Sequence, residues 1–278
     1  MDFYKPSSLP DLFEIISRLE GRKYFLAGGS DINVQIKNKI ITKEPVVYIN
    51  HLDELRGVRD DGDQIVIGAL TSYHDLISSP LLLKYIPFLS EALRYFASPP
   101  LQNMATIGGN LANGSPTADI TPLLLVLNAE LKMMSKSKLR IIPLNGFYTG
   151  YKQFDMKYNE LIGAVIISKK ATSGYRSYYR KVGSRRSLTI AKLSLAGLKK
   201  MSGEQIVEIR LAAGALNEYP RRLARIEDYL TSRIRSELDW QEIESLLSKE
   251  ITPITDLRSD SEYRYQVCLN LIKQFVLD

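Results

Sequence analysis

The stretch ATIGGNLANGSPTADITPLLLVLNAEL, residues 105–131, contains the strongest chemical signal in the chain. A glycine pair is followed first by polar residues and then by an apolar run. Paired glycines permit positive φ angles and leave no side chain in the way, so consecutive backbone N–H groups can converge on an anionic oxygen. The apolar run predicts a helix over about 120–127, and the partial positive charge at its N-terminus would favour a bound anion further.

A second glycine pair occurs earlier, in FLAGGSDI at residues 25–32, and it also follows apolar sequence. Ser30, Thr106 and Ser115 add hydroxyl donors to the two loops, and Asn110 adds an amide; all are suitable phosphate ligands. Neither loop has the Gly-Lys-Ser/Thr of a Walker loop or the Gly-x-Gly-x-x-Gly dinucleotide pattern. Together the loops predict a site for a phosphate-containing ligand, and the alternative is that each is a tight turn.

Hydrophobic periodicity predicts the elements around these loops. A helix should follow a Ser8 cap and end before Gly21, and Thr71 should cap a short helix through Leu76. Segment 31–37 fits a strand as well as a helix, because its apolar residues alternate. Strands are predicted at 24–27, 46–50, 64–69, 130–134, 138–142, 160–168 and through Val207, Ile209 and Leu211, and further helices at 87–97, 236–248 and 260–276.

This mixture of helices and strands predicts the α+β class and two domains, a number that 278 residues can support. The main boundary is predicted near residue 171, because a polar, glycine-containing turn follows the last strand of the first half. The first domain, 1–170, should divide into subdomains of about 1–57 and 58–170. Residues 171–278 should form a smaller domain.

Few residues could hold a metal ion or an iron–sulfur cluster. Cys268 is the one cysteine, which excludes an internal disulfide and a cluster held by this chain alone. His51 and His74 lie far apart without a carboxylate at ligand spacing, so no metal site is predicted. Cys268 shares a helical face with Leu271 and Ile272, which favours a place in the core over a redox function.

The net charge of +6 and the pI near 9.2 would attract phosphate-bearing cofactors, nucleic acid or an acidic protein. The basic runs at 37–43 and 221–225 are short and contain apolar residues, and no nucleic-acid motif accompanies them, so we expect a solvated basic face and no nucleic-acid partner. No run approaches the roughly 18 to 20 apolar residues that span a bilayer. The N-terminus lacks the features of a secretory signal, so a soluble, cytoplasmic protein is expected.

Four segments, FLAGGSDI, ATIGGNLANGSPTADITPLLLVLNAEL, FYTGYK and YYRKVGSRRSLTIAK, occur in the order found in FAD-binding medium subunits of the molybdenum hydroxylase or xanthine dehydrogenase family, which the chain resembles. The similarity extends to EYRYQVCLNLI near the C-terminus. The resemblance implies a two-subdomain PCMH-type FAD-binding domain and a smaller α+β domain, a sheet flanked by helices. It also implies FAD as cofactor, and a [2Fe–2S] iron–sulfur subunit and a molybdopterin-binding large subunit as partners. Electrons would leave the flavin for NAD or another acceptor.

The resemblance further implies which residues contact FAD. The glycine loops contribute Phe25, Leu26, Ala27, Gly28, Gly29, Ser30, Asp31 and Ile32, and Thr106, Ile107, Gly108, Gly109 and Asn110. Asp119 would bind sugar-side hydroxyls, Phe96 would lie near the isoalloxazine, Leu161 beside the adenine, and Lys181 on the cofactor. Without the resemblance, Phe96 and Leu161 fit core packing, Asp119 fits a first helical turn and Lys181 fits a solvated charge.

One position departs from the family pattern. Thr189 stands before Ile190-Ala191, where many relatives carry an acidic residue near the acceptor side of the flavin. The electron acceptor therefore stays open. No catalytic side chain is predicted, because the flavin carries the redox chemistry. Two other functions remain possible: a free-standing flavin oxidoreductase acting on a small substrate, and a non-enzymatic basic module that binds nucleotides.

Overall fold

The computed structural model describes residues 1–185 and 188–278, so Arg186 and Ser187 of the YYRKVGSRRSLTIAK motif lie outside the described residues. The first 57 residues form a small parallel sheet with two helices. Its elements are β1 (Phe3–Tyr4), α1 (Leu9–Arg18), β2 (Tyr24–Leu26), α2 (Ile32–Lys37) and β3 (Val46–Tyr48), and the strand order is β1-β3-β2. The helix predicted after Ser8 is confirmed: the Ser8 hydroxyl accepts from the N–H of Asp11.

Segment 31–37, for which the sequence left two alternatives, is the helix α2. Ile32 is buried, whereas Val34 is 54% exposed, so the two side chains do not share one face as they would in a strand. The amides of Val34 and Gln35 both bind the carbonyl of Asp31, which begins the helix directly after the first glycine loop.

The middle of the chain forms an antiparallel five-stranded sheet covered by helices. Its elements are β4 (Val58–Asp61), β5 (Gln64–Gly68), α3 (Tyr73–Ser78), α4 (Pro80–Tyr85), α5 (Pro87–Leu93), α6 (Pro99–Met104), α7 (Ile107–Asn113), α8 (Ile120–Val126), β6 (Glu130–Met134), β7 (Leu139–Pro143), β8 (Tyr148–Gly150), β9 (Gln153–Phe154) and β10 (Leu161–Ser168). The sheet order is β4-β5-β10-β6-β7, and β8 pairs with β9. Strand β10 is buried from Leu161 to Ile167, as a central strand should be.

Two predictions in this region need correction. The cap of α3 is Ser72, whose hydroxyl accepts from the N–H of Asp75, and Thr71 is not the cap because its hydroxyl bonds both backbone groups of Gly57. The helix predicted over 87–97 ends at Leu93, and Ala97 then takes a positive φ of 45°. A left-handed residue cannot continue a right-handed helix.

The C-terminal unit is an antiparallel sheet with helices on it. Its elements are β11 (Arg176–Val182), β12 (Leu193–Ser202), β13 (Gln205–Gly214), β14 (Arg221–Arg222), α9 (Ala224–Leu230), α10 (Trp240–Ser248) and α11 (Ser261–Leu277), in the sheet order β11-β12-β13-β14. Helices α9–α11 pack on one side of the sheet, and α8 of the preceding unit contacts β12 and β13. Cys268 is fully buried in this core, and burial raises the pKa of its thiol to about 12.

The strand predicted through Val207, Ile209 and Leu211 is confirmed as β13, but Val207 does not lie on its buried face. Ile209 and Leu211 are buried, whereas Val207 is 41% exposed and Ile206 is buried in its place. The register shifts between Lys200 and Met201, so the residues before and after this bulge alternate out of phase. None of the helices in the described part of the chain is long and apolar enough to cross a membrane.

Candidate functional site

Both glycine loops line one cleft of about 480 Å³, a volume within the usual range for small-molecule and cofactor sites. The cleft lies where the N-terminal unit meets the five-stranded sheet. Most of the predicted site residues line it: Phe25, Ala27, Gly28, Gly29, Ser30, Asp31, Ile32, Phe96, Thr106, Gly108, Gly109, Asn110 and Leu161. The structure thus brings together two loops that lie about 80 residues apart in the sequence.

Five predicted site residues do not line this cleft. Leu26 packs beside Ile32 in a small apolar cluster, and Ile107 is fully buried in the main core. The hydroxyl of Ser115 binds Thr117, and Asp119 and Lys181 are paired with each other. Leu26 and Ile107 thus contribute their side chains to apolar clusters.

The first glycine loop, residues 25–32, has free backbone donors. Among the described residues, none accepts a hydrogen bond from the amides of residues 28–30. Gly29 has a φ of 73°, which a side chain would strain. A Cβ on Gly28 would lie 1.5 Å from the carbonyl oxygen of Met104, so the loop packs directly on the end of α6. Three adjacent free amides of this kind can bind anionic oxygens.

The second glycine loop, residues 105–119, is fastened to the sheet. The amides of Ile107 and Gly108 donate to the carbonyls of Thr71 and Ala69 over 3.1 and 2.8 Å. The amide of Gly109 donates over 3.2 Å to the hydroxyl of Thr106, which caps α7. Gly109 itself is exposed in the cleft. This loop therefore presents a bare backbone surface and the side chain of Asn110 to a ligand.

Basic side chains that the sequence reasoning missed surround the cleft. Arg22, Lys23, Lys152 and Lys157 line it, against two carboxylates, Asp31 and Glu160. Glu160 is neutralised by Arg140 at 2.9 Å, so the cleft has a surplus of positive charge that suits a pyrophosphate. Burial lowers the pKa of Lys23 below its usual value. Two features of the sequence could have indicated these cations. Arg22 and Lys23 directly precede β2, which leads into the first glycine loop, and Lys152 is the last residue of the FYTGYK motif.

The cleft also offers apolar surface for a planar ring. Phe96 lines it and stacks on the buried Tyr73 with ring centroids 3.8 Å apart. Leu161 is 4% exposed and packs with the N-terminal core, as the alternative reading expected, while it also lines the cleft. Phe154 and Tyr158, both missed by the sequence reasoning, complete an aromatic lining.

Asp119 and Lys181 form a buried ion pair between the second loop and the C-terminal sheet. The Oδ2 of Asp119 lies 2.5 Å from the Nζ of Lys181, and both side chains are about one-tenth exposed. Burial raises the pKa of Asp119, although Lys181 opposes the shift. The Asp119 side chain makes no capping bond to α8, and Lys181 is not a solvated charge. Lys181 lines a second cleft of about 910 Å³, together with Arg94 and Arg180.

The residues that are present fit an anionic dinucleotide cofactor. The free amides of residues 28–30 can bind a pyrophosphate, and the buried Oδ1 of Asn110, which lines the cleft, has no hydrogen-bond partner among the described residues. The buried Oδ1 of Asp119, at the end of the second loop, has none among them either. A buried acceptor without a partner is costly unless a ligand or water supplies a donor. Sugar hydroxyls are donors of this kind. No cluster of His, Cys, Asp and Glu suited to a metal ion occurs within 1–185 and 188–278.

Two family models match the chain, and together they cover nearly all of it. The first is described as the FAD binding domain in molybdopterin dehydrogenase and matches residues 1–169. The second is described as the CO dehydrogenase flavoprotein C-terminal domain and matches residues 177–278. The first model covers the cleft and both glycine loops.

Curated relatives match along most of their length. The chain is 31% identical over 258 residues to the glyceraldehyde dehydrogenase medium chain of Sulfolobus acidocaldarius, covering 92% of this chain and 91% of the relative. It is 28% identical to the carbon monoxide dehydrogenase medium chain of Hydrogenophaga pseudoflava, covering 98% and 94%. Among solved structures, the reconstituted CO dehydrogenase from Oligotropha carboxidovorans superposes with a TM-score of 0.91 at 26% identity, covering 99% and 95%.

Proposed function

Because the chain belongs to the family of FAD-binding medium subunits of molybdenum hydroxylases, we propose that it is the electron-transfer subunit of such a complex. It is an oxidoreductase subunit that binds FAD. The observation that carries the proposal is the cleft in which two glycine loops meet, with free amides at residues 28–30 and four basic side chains, Arg22, Lys23, Lys152 and Lys157, in its lining. When bound, FAD supplies the redox chemistry of this subunit.

The side chains and amides of the cleft would bind and orient the cofactor. The amides of residues 28–30 would hold the pyrophosphate with help from the surrounding cations, and Gly109 would allow its close approach. The unpaired acceptors of Asn110 and Asp119 would take hydroxyl donors. Phe96 would face the isoalloxazine, with its ring orientation fixed by the stack on Tyr73, and Leu161 would lie beside the adenine.

Electrons would reach this subunit from partner chains. We propose a [2Fe–2S] iron–sulfur subunit and a molybdopterin-binding large subunit as partners, since relatives are named medium chains of dehydrogenases and hydroxylases. Cys268, the one cysteine, is buried and cannot join a cluster, which agrees with clusters on another chain. NAD or another carrier would accept the electrons. Thr189 stands where many relatives carry an acidic residue, so the identity of the acceptor has to be determined by experiment.

The proposal includes the division of the chain near residue 171, with subdomains of about 1–57 and 58–170 before it. An apolar cluster made only of residues after 171 supports the boundary there, and a cluster around α1, to which Leu70 and Leu161 also contribute, supports the first subdomain. A cytoplasmic location stays a prediction from the sequence.

The test is the absorbance spectrum of the purified full chain, followed by acid release and chromatography of any yellow cofactor. We expect about one FAD for each chain and neither iron nor molybdenum, either as purified or after FAD is added. A chain that takes up no FAD would contradict the proposal. If such a chain bound ADP or RNA in a salt-sensitive manner, the nucleotide-binding module would replace it.

A further inference from the structure

The end of the second glycine loop, residues 115–119, is held by the C-terminal sheet at three points. The N–H of Ala215 donates to the carbonyl of Pro116 over 2.7 Å. The hydroxyl of Tyr179 donates to the carbonyl of Asp119 over 3.4 Å, and Lys181 pairs with its carboxylate. The end of the loop that carries Asp119, one of the predicted cofactor-binding residues, is therefore positioned by residues that lie up to 99 positions later in the chain.

Ala215 has a strained backbone. Its φ is 64°, in the left-handed region, which is unfavourable for a residue with a Cβ. The preceding Gly214 leaves no room for a side chain, because a Cβ there would lie 2.6 Å from the Ser194 hydroxyl and 3.3 Å from Pro122. A strained backbone conformation persists only where surrounding residues hold it, so other residues must hold Ala215 in place.

The residue that holds Ala215 is Arg264, which lies in helix α11 and is 1% exposed. Its Nη1 donates to the carbonyl of Ala215 over 2.9 Å, and its Nη2 donates to Asp256 over 2.7 Å. Asp256 is fixed in turn by the amides of Arg258 and Ser259. A buried guanidinium is expensive to desolvate, and it is retained most readily where its rigid fork fixes a geometry.

We infer that Arg264 is a positioning residue for the FAD site, because it holds Ala215 in the conformation that binds Pro116 and thereby sets the conformation of residues 115–119. The path consists of Asp256, Arg264, Ala215 and Pro116, and each step is a hydrogen bond. Arg264 touches neither glycine pair. The inference rests on the proposed function for its consequence, which is that the hydrogen bond from Arg264 to Ala215 controls how tightly the chain retains FAD.

The experiment compares Arg264→Gln with Arg235→Gln in the full chain. Arg235 is the control, because it also donates to a backbone carbonyl, that of Leu277 at the end of α11, and to a carboxylate, that of Glu204, without contacting the loop. Its side chain is 25% exposed, against 2% for Arg264. Two quantities are measured: amide hydrogen exchange in the peptide that contains residues 115–119, and the Kd for FAD from quenching of flavin fluorescence. The peptide that contains residues 25–32 serves as an internal reference for exchange.

For Arg264→Gln we expect about tenfold faster exchange at 115–119 and a Kd for FAD about tenfold higher, the size of one net hydrogen bond. The reference peptide should be unchanged, and Arg235→Gln should leave both quantities within about twofold of wild type. Unchanged exchange at 115–119 in Arg264→Gln would overturn the inference, as would an equal increase in Arg235→Gln.

Arg264→Lys keeps the measurement possible if the glutamine variant does not fold. A lysine retains the charge but cannot reach both acceptors with a planar fork, so exchange at 115–119 should increase by a smaller factor. Wild-type exchange in this variant, when Arg264→Gln does not fold, would also overturn the inference. If even the wild-type chain binds no FAD, the proposed function fails, whereas exchange in the ligand-free chain still decides whether Arg264 positions the loop.

Discussion

The central amides of the first glycine loop are free, whereas those of the second loop are largely used by the fold. Residues 28–30 donate no hydrogen bond to any described residue, but Ile107 and Gly108 donate to the carbonyls of segment 69–71. The two Gly-Gly pairs therefore do different work. In the first loop the amides of residues 28–30 are left for a ligand, and in the second Gly108 lets helix α7 approach Ala69, which follows β5, closely.

The glycines of the second loop also differ from each other. A Cβ on Gly108 would meet the Cβ and the carbonyl oxygen of Ala69 at 2.6 and 2.8 Å, so Gly108 serves packing. A Cβ on Gly109 would meet only the hydroxyl of Thr106, at 2.9 Å, and would otherwise enter the cleft. The comparison distinguishes glycines that are needed for folding from a glycine that is needed for binding. Substitutions can test this distinction, taken from the largest expected loss of stability to the smallest.

Gly28→Ala should have the largest effect. The new Cβ would lie 1.5 Å from the carbonyl oxygen of Met104, which is backbone and cannot rotate away. Separation of the first loop from α6 should lower the free energy of unfolding by about 3 kcal/mol, the upper end of overpacking costs, and remove FAD binding. Urea unfolding and FAD titration measure the two effects. A variant with wild-type stability would contradict the close contact.

Gly108→Ala should cost less, about 2 kcal/mol of unfolding free energy, because helix α7 can shift slightly from Ala69. Its amide already binds the carbonyl of Ala69, so the folded variant should bind FAD within about threefold of the wild-type Kd. Urea unfolding without FAD gives the first number and fluorescence quenching gives the second. Loss of FAD binding at wild-type stability would mean that Gly108 is needed for close approach of the cofactor and not for packing against Ala69.

The sequence predicted both loops, but not this difference between them. The glycine pairs, the hydroxyls and the order of the motifs are local features, and they indicated the cleft and most of its lining. Which amides of the second loop are used depends on segment 69–71, which accepts from Ile107 and Gly108 although it lies more than 30 residues before them in the sequence. The basic side chains of the cleft were missed for the same reason. In the sequence Arg22 and Lys152 look like ordinary surface residues, and only the fold shows that they line the same cleft.

Short capping signals also competed with each other in the sequence. Thr71 and Ser72 are both good caps, and only the pairing of Thr71 with Gly57 leaves Ser72 to cap α3. The alternation in segment 31–37 suited a strand, but Asp31 and the turn at Gly29 begin a helix there. Long, strongly apolar elements such as β10 and α8 were predicted correctly, since burial on all sides leaves few alternatives.

Gly109→Leu should lower the free energy of unfolding by about 1 kcal/mol, because its Cβ would crowd the Thr106 hydroxyl that caps α7, at 2.9 Å, while leucine favours a helix more than glycine does. FAD retention should be lost, since the leucine would occupy the space that a pyrophosphate needs. The measurement is the FAD content of the purified variant, with Gly108→Ala as the control of opposite behaviour. Normal FAD content would refute the placement of the cofactor against Gly109.

The smallest expected effects come from the hydroxyls beside the two glycine pairs. The hydroxyl of Thr106 accepts from the Gly109 amide and caps α7, so Thr106→Val should cost about 1 kcal/mol of unfolding free energy. The hydroxyl of Ser30 has no partner among the described residues, so Ser30→Ala should leave stability within about 0.5 kcal/mol.

For FAD affinity the order of the two variants should be reversed, with the larger effect in Ser30→Ala. Ser30→Ala removes a hydroxyl that is free for the ligand, so its Kd for FAD should increase about three- to tenfold, the size of one hydrogen bond. Thr106→Val should change the Kd less, because its hydroxyl is already used within the protein. Flavin fluorescence quenching compares the two variants under one set of conditions. If Thr106→Val weakened FAD binding more than Ser30→Ala, the second loop would be the main phosphate ligand, and the assignment of free donors to the first loop would be wrong.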